Sequence, residues 1–212
     1  VNTNPGDTNI TALATYNNDA YAAANNVDVI AFTTIGAASA ANTLRFNQAA
    51  GGTLNINAQL SMVSGGLLMT PASGNVILNG TGSIRNNANT AGLEALIIHQ
   101  HSANGLQINV PIVNNTNAQG ITKVGNGKVF LNSATNSFTG TVNLHQGEIQ
   151  VGGTIAAPTT ATNSRLSTGA PAVNLSQGAT LRFLSNNTAV QDLATLQGGG
   201  TIILDTNNTQ TV

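Results

Sequence analysis

Val142-Asn-Leu-His-Gln-Gly147, followed by Ile149, returns 31 residues later as Val173-Asn-Leu-Ser-Gln-Gly178, followed by Leu181. Self-similarity at a period of roughly 20 to 50 residues marks a solenoid, in which each unit buries its apolar face only against its neighbours. Inside the first unit, Gly127-Lys-Val-Phe-Leu131 is echoed twenty residues on by Gly147-Glu-Ile-Gln-Val151. Each echo is a glycine turn leading into a four-residue strand, so one coil is about twenty residues. The eleven extra residues before the second Val-Asn-Leu coincide with 156–171, rich in Pro, Thr, Ser and Ala, which reads as a loop inserted in one coil.

Outward from this core, apolar residues recur with a period near two in short segments bounded by Gly or Asn, the pattern of strands. Thr53-Leu-Asn-Ile-Asn57, Leu106-Gln-Ile-Asn-Val110, Ala179-Thr-Leu-Arg-Phe183 and Thr201-Ile-Ile-Leu204 are examples. No comparable helical stripe appears after residue 45. The Ala-rich stretch from Thr11 to Ala41 allows a short helix around residues 18 to 25. The expected organisation is an irregular N-terminal part over 1–42 and a parallel β-helix over 43–212, with the repeat motif at 121–153.

Composition agrees with stacked coils. Charged residues are 6% of 212, against about 25% in ordinary soluble domains. Asn (31), Ala (29), Thr (28) and Gly (23) make up more than half of the chain. Rungs ~4.8 Å apart bring equivalent side chains together, where like charges repel and Asn or Thr hydrogen-bond in ladders. A narrow core of Val, Ile and Leu leaves little room for bulky aromatics, which are 3% of the chain.

The same arithmetic excludes several functions. An apolar fraction of 41% with a net charge of −1 is not the composition of a disordered chain. Arg45, Arg85, Lys123, Lys128, Arg165 and Arg182 are scattered singly, so no basic patch for nucleic acid forms. No run approaches the ~18 to 20 apolar residues of a membrane helix. There is no cysteine for a disulfide or thiolate site, and the chain opens on Val1-Asn-Thr-Asn4 without the pattern of a secretion signal.

The unit Ile121-Thr-Lys-Val-Gly-Asn-Gly-Lys-Val-Phe-Leu131, continued by Asn136-Ser-Phe-Thr-Gly-Thr-Val142 and Gly147-Glu-Ile149, closely resembles the autotransporter-associated β-strand repeat. That pattern is Leu-x-Lys-x-Gly-x-Gly-x-Leu-x-Leu, then Asn-x-Tyr/Phe-x-Gly-x-x-x-Val, then Gly-x-Leu. Thr43-Leu-Arg-Phe-Asn47, Ser64-Gly-Gly-Leu-Leu-Met-Thr70 and Glu94-Ala-Leu-Ile-Ile-His-Gln100 are similar to the segments that precede it in very large bacterial surface proteins. The resemblance implies a right-handed parallel β-helix at the cell surface, part of a longer passenger, and little chemistry.

His99-Gln-His101 puts two imidazoles on one side of a strand, the start of a metal site. Glu94 has the opposite parity and His145 would join only through an unproven register, so the pair is read as satisfied or solvated histidines and no metal is assigned. Seven acids at Asp7, Asp19, Asp28, Glu94, Glu148, Asp192 and Asp205 are hard to assemble into a glycosidase pair. Gly125-Asn-Gly-Lys128 is a turn and not a phosphate loop. Asn114-Asn115, Asn186-Asn187 and Asn207-Asn208 read as turns, not calcium ligands. Thr139, Thr160, Thr180 and Thr201 could form the threonine column of an ice-binding face, but ladder packing is preferred. The sequons at Asn9 and Asn79 are those expected by chance.

The expectation is therefore a non-catalytic extracellular structural or adhesive β-solenoid with no cofactor. It would assemble head to tail with itself into fibres or meet host and cell-surface ligands. A carbohydrate-binding or carbohydrate-acting β-helix on the cell envelope is the alternative.

Overall fold

The structure, a computed structural model, describes residues 15–87, 95–184 and 193–205. Among these residues every regular element is a strand. Residues 18–25, where a helix was allowed, instead run from the end of strand Asn17–Asn18 through a turn into Asn26–Val29. Asp19, at φ 47°, turns the chain, and its carboxylate accepts the backbone N–H groups of Ile30 and Ala31, an alternative to helical pairing for this stretch.

The strands form two all-parallel sheets. Along the first run Asn17–Asn18, Asn26–Val29, Ser39–Phe46, Leu60–Met69, Ala95–Gln100, Gly120–Val124, Val142–Leu144, Val173–Leu175 and Leu196–Gly198, with Ile84–Asn86 beside Leu60–Met69. Along the second run Gly52–Asn55, Val76–Asn79, Leu106–Ile108, Lys128–Leu131, Glu148–Val151, Thr180–Phe183 and Thr201–Leu204. Spatial order follows chain order in both sheets, and from Ser39 onward the chain passes from one sheet to the other and back. Shorter pairings lie outside these two runs: Ile35 bridges Ile56, Ile84 bridges Ile112, Ser137 N–H donates to Ile112 C=O and Thr168 N–H donates to Asn136 C=O.

The repeats fall into register. Val142, Asn143 and Leu144 pair with Val173, Asn174 and Leu175, and Lys128 to Leu131 pair with Glu148 to Val151. The twenty-residue unit is not general. Partners are separated by as few as 10 residues, Asn18 to Asp28, and by as many as 32, Val151 to Phe183. Sheet register fixes only the strands, so the connections absorb the difference. The segment 156–171 lies in such a long connection, yet Ser164, Leu166 and Ser167 are buried, and Arg165 N–H bonds Ser133 C=O. Part of it therefore packs against the stack and is not a free loop.

Strand parity builds the core. Val27, Leu44, Leu67, Ile98, Lys123, Leu144 and Leu175 form one inward column of the first sheet, and Leu54, Leu78, Ile108, Leu131, Val151 and Phe183 one of the second. Each fully buried aliphatic side chain contributes about 1.5 to 3 kcal/mol of transfer free energy. Aromatics do find room: Phe46, Phe138 and Phe183 are buried. Phe46 sits between Val29 and Met69, and Phe183 follows Val151, so a small or flexible neighbour compensates for the ring.

Amide ladders occupy outer and corner positions. Asn174 Nδ2 donates to Asn143 Oδ1 at 2.8 Å. Asn109 Nδ2 donates to Asn79 Oδ1 at 3.1 Å, and Asn132 Nδ2 donates to Asn109 Oδ1 at 3.2 Å. Where charges do stack, they alternate in sign: Lys128 lies beside Glu148, Glu148 meets Arg182, and Arg182 meets Asp205.

Candidate functional site

The first sheet turns Asn26, Asp28, Thr43, Arg45, Gly66, Leu68, Ile97 and His99 to the side opposite its core column. Within this face Arg45 makes two parallel bonds to Asp28, Nε to Oδ1 at 3.0 Å and Nη2 to Oδ2 at 2.7 Å. Its guanidinium carbon lies 3.5 Å from the centroid of the Tyr16 ring. The hydrogen bond to Asp28 is the main cause of the raised pKa of Arg45, which burial opposes. One rung further, Gly66 carries no side chain, and the gap between Thr43 and Ile97 becomes part of a groove of about 510 Å³. Tyr16, Asn42, Arg45, Leu68 and His99 are among its walls. A Cβ at Gly66 would lie 3.1 Å from Thr43 Cγ2, so the groove depends on the missing side chain.

His99 and His101 are brought together at the edge of this groove. Both are exposed, their ring centroids are 5.9 Å apart, and the planes are tilted by 32°. The His99 pKa is lowered, first by partial desolvation and then by the charge of His101. His145 does not join them: its Nδ1 lies 3.2 Å from Ser176 Oγ. Glu94 falls outside the described residues. Among the described residues there is no group of three or more His, Cys, Asp or Glu able to hold a metal ion.

The acids divide into local arrangements. Asp19 caps Ile30 and Ala31, and Asp28 holds Arg45. Glu148 and Asp205, 57 residues apart in sequence, are brought onto one guanidinium, at 3.1 Å from Arg182 Nε and 3.2 Å from Arg182 Nη1. Sequence spacing gave no sign of that meeting. Lys128 Nζ lies 3.0 Å from Glu148 Oε1. The two carboxylates thus share a cation and do not stand open across a cleft. Asp7 and Asp192 lie outside the described residues.

The threonines do not align as a single column. Thr180 pairs with Thr201, but the preceding positions of that column are Glu148 and Lys128, and Thr139 is tied instead to Asn114. Asn114 accepts from the backbone N–H groups of Gln119 and Thr139, as a turn residue does. Asn186-Asn187 and Asn207-Asn208 are outside the described residues. Gly125, at φ 85°, turns the chain so close to Gln100 that a Cβ would lie 2.2 Å from its carbonyl oxygen.

Lys123 was not legible as unusual from composition. It takes an inward position between Ile98 and Leu144 and is fully buried. Its Nζ reaches two turn carbonyls, Gly125 O at 2.6 Å and Gln146 O at 2.9 Å. Desolvation lowers its pKa to about 8, partly opposed by the charge of Glu148. Bonded to both carbonyls, this lysine reads as a clamp on two successive turns.

No helix of the described residues is long and apolar enough to cross a membrane. Compared with protein-family models, curated proteins and solved structures, the chain matches none.

Proposed function

We propose that this chain is a right-handed parallel β-helix serving as a non-catalytic structural or adhesive module at a bacterial cell surface, of the autotransporter-associated repeat type. The observation that carries the reading is the unbroken chain-order stacking of parallel strands in two sheets, with Val-Asn-Leu over Val-Asn-Leu. Handedness rests on the near-universal right-handed crossover between parallel strands of one sheet. Nine successive strands of the first sheet at ~4.8 Å per rung correspond to a stack about 40 Å long. Its function would be mechanical: a stiff spacer presenting turns and one grooved face.

Head-to-tail assembly is part of this proposal. Among the described residues no strand follows Leu196–Gly198 or Thr201–Leu204 in its sheet, and Leu196 and Leu204 are 45% and 41% exposed. Such an edge accepts a further parallel rung, from a second copy or a longer polypeptide, and a heterologous contact need not close. Sedimentation and electron microscopy across a concentration series test the self-assembling form. Rods lengthening with concentration are expected, and Leu196→Lys with Leu204→Lys should stop their growth. Monomers at every concentration would remove self-assembly from the proposal.

Carbohydrate binding is the second reading, favoured by the groove lined by Tyr16, Asn42, Thr43, Arg45 and His99. A glycan array with wild-type protein and Gly66→Leu, which fills the groove, separates the two: signal lost in the variant supports it, and no signal with either rejects it.

A further inference from the structure

The two histidines at the edge of the groove are a site that the structural role does not use. His99 lies in strand Ala95–Gln100 and His101 just past its end, where its N–H still bonds Met69 C=O, so the two flank inward-facing Gln100 and their rings stand together on the same side. Both are exposed, and among the described residues neither ring has a hydrogen-bond partner, which leaves nitrogen lone pairs available in the neutral form. The next rung protects this access. It passes His101 as Gly125, and a Cβ there would stand 3.0 Å from His101 Nδ1. The cationic group on the groove wall, Arg45, is neutralised by its two bonds to Asp28.

Geometry is close to that of a chelate. Two metal–nitrogen bonds of about 2.0–2.1 Å at a right-angled or tetrahedral angle place imidazole centroids about 5 Å apart. The observed 5.9 Å separation is closed by a side-chain rotation of under about 1 Å, within reach of exposed rings. Imidazole suits borderline ions and rejects hard ones.

We propose that His99 and His101 together bind one divalent transition-metal ion, Cu²⁺, Ni²⁺ or Zn²⁺, with water completing the coordination. The site is a two-residue surface chelate that adds a metal-dependent contact point to the grooved face. Copper binds most tightly of the three by the general order for nitrogen donors, and Mg²⁺ does not compete.

Isothermal titration of the untagged full chain with NiCl₂ tests this, using His99→Ala, His101→Ala and His145→Ala and a Mg²⁺ control. Circular dichroism checks that the sheet content of each variant is unchanged. Wild type and His145→Ala are expected to bind one Ni²⁺ per chain with equal affinity. Loss of an outer-shell partner alone costs 10–100-fold in affinity, so loss of either ligand should weaken binding by about 100-fold. In NMR spectra of wild type, Ni²⁺ should broaden the ring protons of two of the three histidines. The proposal is overturned by wild type showing no saturable binding, by either groove-edge variant keeping wild-type affinity, or by His145→Ala losing as much.

Discussion

Lys123 supplies the most demanding test of the stacked core. Its side chain occupies an inward position between Ile98 and Leu144, with the amine on Gly125 O and Gln146 O. Burial lowers its pKa from 10.5 to about 8. At about 1.36 kcal/mol per unit, the fold disfavours the charged form by about 3 kcal/mol. A lowered lysine pKa means that the unfolded chain holds more protons between pH 8 and 10.5, so stability should rise with pH across that window. Below pH 8 both states are protonated and the cost is fully present. Lys123→Met keeps the stem and deletes the charge. At pH 7 it relieves that cost but leaves two turn carbonyls without their donor, which costs about 1–3 kcal/mol each when they stay dry. The two effects nearly cancel, and a net change within about 2 kcal/mol is expected at pH 7. The diagnostic quantity is the slope: urea unfolding at intervals from pH 7 to 10.5 should show wild type gaining up to about 3 kcal/mol relative to Lys123→Met. Taking the difference removes other groups that titrate there, including Tyr21, whose pKa burial raises. Parallel wild-type and variant curves would refute the buried-amine account. Lys123→Ala, which also opens a cavity, should lose about 2–5 kcal/mol at pH 7.

Three further perturbations probe the outer ladders and the groove. Asn143→Asp and Asn174→Asp place carboxylates at positions now joined by a 2.8 Å hydrogen bond between side-chain amides; the double variant should be about 1 kcal/mol less stable than additivity predicts, with the excess shrinking in 1 M salt. If salt does not reduce the excess, repulsion between rungs is not what keeps this chain uncharged. Arg45→Ala strands the nearly buried Asp28 carboxylate and uncovers Tyr16, and thermal unfolding at pH 7 should show a loss of about 1–3 kcal/mol. Gly125→Ala forces a side chain into φ 85° and against Gln100 O, so a loss of at least about 2 kcal/mol is expected in urea titrations; a neutral effect would mean that this turn rearranges freely.

Much of the fold was legible because strand parity is a local property. Apolar alternation in Glu148-Ile-Gln-Val151 and Thr180-Leu-Arg-Phe183 marks two strands without reference to anything else, and the returning Val-Asn-Leu marks which residues stack. Residues 18–25 do not form the helix that their Ala content allows, because that content is a weak preference that the Asp19 turn and sheet pairing override. Aromatic scarcity does not keep rings out of the core: Phe46 and Phe183 enter it where Val stands on a neighbouring rung. Of the candidate site, the parity of His99 and His101 was readable, but their exposure, the missing wall at Gly66 and the Arg45–Asp28 clamp were not.

What the amino-acid sequence determined by itself is the strand character beyond residue 45, the poverty of charge and the pairing of its clearest repeats, because alternation and identity are written into adjacent residues. Only the tertiary structure decided which unlike residues share a column. Connections that vary from short turns to the long stretch between Val151 and Val173 set the offset between rungs, and no local pattern carries that offset. For that reason a lysine lies beneath a leucine, Glu148 and Asp205 meet on one arginine, and a glycine beside Thr43 opens the groove at whose edge the two histidines stand.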